Sequence, residues 1–533
     1  MLLMKSIAGQ VAINTDASAP HNSAMLDIKS NNKGFLPPRM TWPQIQAIQN
    51  PAPGLLVFDE GLKAIRMFNG FSWVVIGPKE HGLNDPPGNF SNLSTATGSS
   101  NARGNKVVVG IDKKVYVTGV LDQSLIFGND TLTTNGSNDI FFAVFDSSGN
   151  YLWSKKIGGT NYDYVNDIYV NTTGIFLCGY FSGTVDFDAG AGTDNHTAVV
   201  ISPFFTKYDL AGNFVWAKHL TPTNTSYSSN IIADNAGYSY LCGYFTAGTI
   251  DADPGAGTLN LTSLGGWEGY LAKYDSNGNL VWARKIGNTG NDLCDGLIFV
   301  NGTLVFAGLF AGTVDFDPSA ATFNLTSAGI SDYFLTRFDT SGNLLWAKAI
   351  GTPAGETTIN HMLTMDPAGN ICFASLFSGT IDVNPDAGVL NLVSAGGLDF
   401  FIAKYNSSGA LLPWAFRIGG TLDDHITDIS VDNSDNIYIT GSYQGTVDFD
   451  PSGTIQNLVS SGSADVFIAK YSSSASTVFI KSMGGMNYEA TGSIAAFPSG
   501  KVVFITGVAG TPYIAFNGER VLSSGFFLAR YEE

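Results

Sequence analysis

Positive charge is scarce in this sequence. Its 533 residues carry 27 Lys and Arg against 45 Asp and Glu, a formal net charge of −18. A phosphate backbone is held by clustered cations, so nucleic acid is not an expected partner. Cysteine is equally sparse. Cys178 and Cys242 hold the same place in neighbouring repeats, Cys372 a corresponding place later, and Cys294 lies near the start of another repeat. None has an obvious bonding partner, and buried free thiols are expected. No apolar run reaches the length that spans a bilayer, so membrane insertion by a helix is not expected. The start, MLLMKSIAGQVAINTD, has one Lys and no apolar stretch of signal length. Export without a Sec leader, or assembly in the cytoplasm into something later released, is therefore expected. The six histidines (His21, His81, His196, His219, His361 and His425) show no metal-ligand spacing. A nucleophile elbow, a phosphate loop and zinc-spaced cysteines are also lacking. The expectation is a non-enzymatic protein with no catalytic, cofactor-binding or metal residues and no cofactor.

Glycine is abundant, at 62 residues, and the chain repeats itself. The stretch YDSNGNLVWARKIG (Tyr274 to Gly287) recurs, its Trp282 matched by Trp153, Trp216, Trp346 and Trp414, and by Phe479 in a degenerate copy. The steps are 63, 66, 64, 68 and 65 residues, a period that marks an array of supersecondary units. Upstream of each copy an apolar run closes on a small residue, at Gly119, Gly179, Gly243, Gly308, Ser375, Gly441 and Gly507. Between these two anchors lies a third, of the FIAKY type, which also occurs seven times and ends the chain as FFLARYE.

Within a unit the apolar residues alternate with period two and Asp-x-x-Gly-Asn clusters punctuate them, which is hairpin chemistry. Four short strands per unit follow. We label them A (the DISVD type, Asp428 to Asp432), B (IYITG), C (FIAKY) and D (NLVWAKxIG). In the C-to-D turns Asp146, Asp209, Asp275 and Asp339 can bond their own backbone two residues on, and Gly149, Gly212, Gly278 and Gly342 supply positive φ. Four strands are too narrow to bury two faces alone, and seven units in a row point to an all-β, seven-bladed β-propeller. The seventh D strand is missing from the C-terminal end. Asn89 to Thr97 (NFSNLSTAT), just before the first A strand at Lys106 to Ile111, is expected to take its place against FFLARYE, hiding both edges.

Through GNLVWARKIG, YITG and GTVDFDPSAAT, residues 89 to 533 resemble the seven-bladed β-propeller repeat family of bacterial surface and secreted proteins. The resemblance implies architecture and leaves activity open.

Residues 1 to about 85 follow another grammar. A short helix is expected with Thr41 as cap, Pro43 in its first turn, Ile45 and Ile48 on one face and Pro51 as its end. Strands LLVFD, AIRMF and SWVVIG follow. Through SAMLDI, GFLPPRMT, GLLVFD and FNGFSW, the segment resembles the module at the head of phage tail-fibre-like and related appendage proteins. That resemblance implies a small α+β attachment and oligomerisation module over residues 1–80, in a trimeric setting. Residues 81–88, within a Gly- and Pro-rich stretch, read as a linker, and 89–533 as the propeller. Met25, Leu26, Phe35, Leu36, Trp42 and Trp73 are the apolar residues expected to hold a homotrimer through residues 1–85.

One polar motif repeats in the loop after strand B: Asp186-Phe187-Asp188, Asp251-Ala252-Asp253, Asp315-Phe316-Asp317, Asp382-Val383-Asn384 and Asp448-Phe449-Asp450. Two side chains per blade fall short of the six to eight oxygens of a calcium site, so these read as turns whose middle residue packs inward. The Trp of each D strand reads as inter-blade core rather than as a sugar platform. The long B-to-C loops (GTVDFDPSGTIQNLVSSGSAD) and D-to-A loops (GGTLDDHITD) share one face, the expected recognition surface. The functional expectation is a structural and receptor-binding protein of a virion or extracellular phage-like particle, a tail fibre or contractile injection system component. Its partners would be particle or baseplate proteins and a cell-surface receptor or glycan. The alternative is a cell-surface or secreted adhesin or interaction scaffold, with a hydrolase behind it.

Overall fold

Apolar alternation interrupted by Asp–Gly turns gives each repeat four antiparallel strands. In the sixth, His425–Val431, Ile437–Tyr443, Asp465–Tyr471 and Thr477–Met483 pair in that order. The computed structural model describes residues 3–7, 10–14, 26–28, 35–49, 51–60, 64–68, 73–76, 89–95, 97–98, 102–352, 356, 362–484, 490–509, 514–516, 519–521 and 525–533. Among them are seven such sets of four paired strands, those of the first two repeats continuous in one sheet. Each A strand lies beside the A strands of its two neighbours, and the first, Arg103–Val109, lies beside the seventh, Ala490–Ala496, so the blades form a closed ring. The seventh blade is completed by Asn89–Thr95, antiparallel to Gly525–Glu532 with Leu93 opposite Ala529. The chain divides into two compact units, Met1–Asn84 with Gly518–Arg520, and Asp85–Asn517 with Val521–Glu533.

The blade faces explain the alternation. On strand C of blade one, Ile140, Phe142 and Val144 pack with Val165, Leu177 and Phe204 of blade two. The intervening Phe141, Ala143 and Phe145 pack with Phe504, Phe526 and Leu528 of blade seven. Both faces of a blade are thus core, and strands B and C of blades one, five and six are buried from end to end. The repeated Trp belongs to this seam. The indole of Trp216 donates to the carbonyl of Ser276 at 2.9 Å, Trp282 to Thr340 at 3.2 Å and Trp346 to Ser407 at 3.0 Å, each on the C-to-D turn of the next blade. Gly212 (φ +82°) and Gly278 (φ +77°) in those turns are needed twice over. Their backbone is left-handed, and a Cβ would stand 2.7 Å from Trp153 and 3.3 Å from Trp216.

The B-to-C segments, read from sequence as loops, carry hairpins of their own. Thr446–Asp448 pairs with Asn457–Val459, Thr380–Asp382 with Asn391–Val393, and in blade two strands B and C simply extend, as Gly174–Asp186 and Asn195–Tyr208. The period-two signal there is only three residues long, too short to register as a strand. These hairpins also tie blade to blade, since Gly158 and Gly159 at the end of one D strand pair with Asp186 and Val185 of the next blade, and Gly419 and Gly420 with Asp448 and Val447.

A second tie is made by buried carboxyl groups. The first residue of strand C is acidic in five blades: Asp139, Glu268, Asp332, Asp399 and Asp465, all buried. A second acid follows after 24 or 25 residues at the start of the next blade: Asp163, Asp292, Glu356 and Asp424, also buried. Glu489, the fifth, lies outside the described residues. Each first acid caps the loop before strand C, as when Asp139 Oδ2 accepts from the Asn135 N–H at 2.9 Å. Asp163, Asp292 and Asp424 each span two blades, as when Asp424 accepts from the N–H of Gly420 at 2.6 Å and of Gln444 at 2.9 Å. Lys156 lies 2.8 Å from Asp139 and Lys285 2.8 Å from Glu268. The Gly that ends each D strand now has its reason. A Cβ on Gly158 would lie 2.3 Å from Cγ of Asp139, and on Gly351 2.4 Å from Cγ of Asp332. Where the acids are lost they are lost together. Ser202 and Ser226 stand at the seam of blades two and three, and Thr221 replaces the glycine there.

The N-terminal unit holds an antiparallel pair, Leu3–Ile7 and Gln10–Asn14, with Leu26–Ile28 parallel to the second. A second sheet runs Arg39–Met40, Leu56–Asp59, Ala64–Phe68, Trp73–Ile76. The helix Trp42–Gln46 is capped as expected by Thr41, in a capping box with Gln44, but it stops at Ala47, before Pro51 can end it. Ile45 and Val57 are buried beside the ion pair Asp59–Arg66, 2.8 Å and 1% exposed on each side, whose guanidinium lies 4.4 Å over Trp42.

Three outcomes are expected. A chain beginning at residue 81 should melt cooperatively, whereas one beginning at residue 101 lacks Asn89–Thr95, leaves Gly525–Glu532 an open edge, and should aggregate or lose cooperative melting; equal behaviour in calorimetry would overturn the closure. The second concerns pH. Burial, with Asp139 adding repulsion, raises Asp163 to about 7, and burial beside Asp332 raises Glu356 to about 7. Burial likewise raises Asp292 and Asp424 to about 6. An unfolded carboxyl titrates near about 4, so the folded state holds these protons more tightly. Their stabilisation is complete in acid and is lost as pH rises through about 6 to 7. The melting temperature should therefore be higher at pH 5 than at pH 8, with a smaller difference in Asp163→Asn. Gly158→Ala should destabilise by about 2–3 kcal/mol through overpacking.

Candidate functional site

The face formed by the B-to-C hairpins and D-to-A loops is built largely by its own hydrogen bonds. In each Asp-x-Asp loop the first acid accepts two main-chain N–H groups. Asp315 Oδ1 takes those of Asp317 at 3.0 Å and Phe323 at 2.8 Å, and Asp448 Oδ1 those of Asp450 at 3.1 Å and Gln456 at 2.9 Å. The second acid closes a tighter turn, as Asp317 does on the Ser319 N–H at 2.8 Å. The middle residues Phe187, Ala252, Phe316, Val383 and Phe449 are buried. A repeated tyrosine at the end of strand C locks the loop from inside: Tyr274, Tyr405 and Tyr471 donate to the carbonyls of Ala252, Val383 and Phe449 at 3.1, 2.8 and 2.9 Å. Among the described residues no group of three or more His, Cys, Asp or Glu gathers as a metal site. Melting curves with calcium and with chelator should superimpose, because a ligand selective for the folded state would raise the midpoint; a rise of many degrees with calcium would make Asp315 and Asp317 ligands.

The four cysteines are free and buried. Burial pushes Cys372 up to about 12, which leaves it an unreactive thiol. The histidines hold a pairing that their spacing did not announce. His196 and His219 face each other with Nδ1 atoms 2.8 Å apart, and His196 Nε2 lies 3.1 Å from Asp194 Oδ2. His219 sits where other blades carry Lys156, Lys285 or Arg417, in the blade where Ser202 removes their acidic partner. Burial and the neighbouring imidazole lower His219 to about 4, so His219 is neutral near pH 7. His425 is also lowered by burial, while His21, His81 and His361 lie outside the described residues.

The A strands line a cavity of about 650 Å³ on the ring axis, whose walls include Asn105, Lys106, Asn166, Asp167, Asn230 and Asp295. One-residue bulges put polar side chains there. The register shifts at Asn105, Asn166, Ser229, Asp295, Thr427 and Gly492, each time at the same place in strand A. The bulged residues link the blades: Asn105 donates to the Val165 carbonyl at 2.8 Å and Asn166 to that of Ser228 at 2.6 Å. Lys106 lies 3.0 Å from Asp428; burial works against its charge, but Asp428 and Asp167 outweigh it and raise the ammonium above its ordinary value.

At the loop-side mouth of this cavity six aromatic rings run in an unbroken string. Tyr162 stacks on Tyr164 (6.2 Å between centroids), Tyr164 on Tyr180 (5.2 Å), Tyr180 meets Tyr227 edge-on (4.9 Å), Tyr227 meets Tyr244 (5.0 Å), and Tyr244 stacks on Trp267 (5.4 Å). Arg103 lies 5.1 Å over Tyr164. Pairing across strands sets the string, with Tyr164 opposite Tyr180 and Tyr227 opposite Tyr244. Its ends are open, Tyr162 at 42% and Trp267 at 38% exposure. Sequence reasoning missed these residues because they depart from the repeat. The signal was there to find, since Tyr fills both positions only in blades two and three.

Residues 12–94 match the family described as the phage tail like trimerisation region, a span that runs into the strand Asn89–Thr95. The chain is 25% identical over 382 residues to an uncharacterised WD repeat-containing protein of Acanthamoeba polyphaga mimivirus, covering 60% of this chain and 27% of that one. It is 23% identical over 366 residues to the regulatory protein FlaEY of Caulobacter vibrioides, covering 62% of this chain and 35% of that one. It therefore spans only about a quarter to a third of these relatives' lengths. Among solved structures the Dos1 propeller aligns with a TM-score of 0.39 at 9% identity, over 82% of this chain and 94% of that one. Taken with the ring of blades, the match places a phage tail-like trimerisation region at the N-terminus of a β-propeller repeat protein.

Proposed function

We propose that this is a non-enzymatic structural and receptor-binding protein of a phage-like particle, a tail fibre or a contractile injection system component. The N-terminal unit trimerises and docks, and the propeller serves as the recognition head. The observation that carries the reading is the trimerisation match over residues 12–94. A trimer needs apolar surface to bury, and Phe35 and Leu36 offer it at 58% and 69% exposure, with Trp42 half-buried beside them in sequence. Met25 lies outside the described residues, and of Leu26 and Trp73 only the strand placement is described. The propeller supports the non-enzymatic part of the reading, because its repeated acids and tyrosines serve turns and seams. Its longer loops lie on one face, where recognition by variable side chains is least costly to the core. The net charge of −18 favours heads that keep apart.

Light scattering tests the assembly. The full chain is expected at three times its 56.4 kDa and residues 86–533 as a monomer. Phe35→Ser with Leu36→Ser should shift the full chain toward monomer, and a monomeric wild type at micromolar concentration would remove the reading's main support.

A further inference from the structure

We propose that the aromatic string from Tyr162 to Trp267 is a saccharide-binding platform, a deepening that rests on the reading of the propeller as a recognition head. The propeller itself does not require these rings. At the position of Tyr164 and Tyr227 blades one, four, six and seven carry Arg103, Leu293, His425 and Ala490, and at that of Tyr180 and Tyr244 the other five blades carry Val120, Leu309, Leu376, Ser442 and Val508. The ring closes equally well with all of these.

The hydroxyls make the same distinction. Tyrosines that serve the repeat spend their hydroxyls on loop carbonyls, as Tyr274, Tyr405 and Tyr471 do. Among the described residues, no protein hydrogen bond is made by the hydroxyls of Tyr162, Tyr180, Tyr227 or Tyr244. Five phenols in series, four of them with hydroxyls to spare, and an indole at the end offer apolar ring surface together with donors and acceptors at its edge. A sugar ring has the complementary surface, one face of C–H groups and a rim of hydroxyls. The surroundings fit as well. Asn166 and Asp295 line the cavity next to Tyr244, and Asn105 and Arg103 line a second cavity of about 300 Å³ beside Tyr164. Amide, carboxylate and guanidinium groups at the edge of an aromatic floor are what fixes a polyhydroxylated ligand in one orientation. Alternative occupants fit less well. A nucleic acid would find only Arg103 and Lys106 for its phosphates, and an acyl chain would lie against a row of phenolic hydroxyls. The platform lies on the loop face, and it is long enough for several sugar units, since five centroid steps of 4.9 to 6.2 Å separate its ends along the string.

The test uses the full-length protein on an array of immobilised bacterial and eukaryotic cell-surface oligosaccharides, with Trp267→Ala, Tyr162→Ala and, as a control on the outer edge of blade one, Leu152→Ala. Both platform residues are open enough that their removal should leave the melting temperature unchanged. We expect at least one saccharide class to be retained, with affinity reduced about tenfold or more, equivalent to about 1.4 kcal/mol, in each platform variant and unaltered in the control. Tyr180→Phe with Tyr244→Phe, which keeps the rings and removes two hydroxyls, should weaken binding without abolishing it. Retention of no saccharide, or equal retention by wild type and platform variants, overturns the proposal. A parallel assay separates this from failure of the recognition-head reading. If cells that capture the wild type also capture Trp267→Ala equally, or lose capture after protease but not after periodate cleavage of their sugar diols, the head recognises a protein and the saccharide site falls alone.

Discussion

The seam between adjacent blades is the constraint on which everything else in the propeller depends. A four-stranded sheet with both faces apolar has no stable existence alone, so each blade must offer one face forward and one back. Strand C does this directly, with Phe142 turned to the next blade and Phe141 to the previous one. The Trp of strand D, the turn glycine beneath it, the hairpin that pairs with the preceding blade and the buried acid pairs all serve the same seam. The glycine after each D strand is tied to the carboxylate it faces, and at the seam of blades two and three the acids, the cation and the glycine are all replaced. Such coordinated change is how a physical contact shows itself within one sequence.

Closing the ring makes the seam problem uniform. With Asn89–Thr95 as the outer strand of blade seven, the last blade is built from both ends of the described propeller chain, and Gly525–Glu532 is paired on both sides. Pairing of Thr97–Gly98 with the first blade's hairpin continues the same device around the junction. A structure fixed by repeated contacts can tolerate departures wherever the repeat does not need a particular side chain, and the mouth of the central cavity is such a place. There, blades two and three hold tyrosines whose rings touch in series, and the polar bulges of strand A give the cavity behind them amide and carboxylate walls.

Together, a trimerisation region and a ring with one elaborated face make a particular division of labour sensible. On the proposed reading, assembly would reside in the N-terminal unit, while the propeller would present a surface whose loops are anchored by their own hydrogen bonds. Rigid anchoring lowers the entropy lost on binding, which would suit the proposed recognition role.

Much of this was legible in the residues themselves. The Trp period, the alternation and the Asp–Gly turns are local signals, and local signals determine strands, turns and their number; the short count of D strands even pointed to Asn89 as the start of the closing strand. The turn role of Asp315 and Asp317 could also be read, because Asx chemistry acts within a few residues. What the sequence did not reveal depends on separation along the chain. Asp139 and Asp163, or His196 and His219, meet because two blades or two strands are brought together, and the hairpins after strand B are stabilised by pairing with a preceding blade rather than by their own three-residue signals. The aromatic string is the clearest case. Tyr162, Tyr180, Tyr227, Tyr244 and Trp267 are unremarkable singly, and only the juxtaposition of strand ends from two blades makes them one surface.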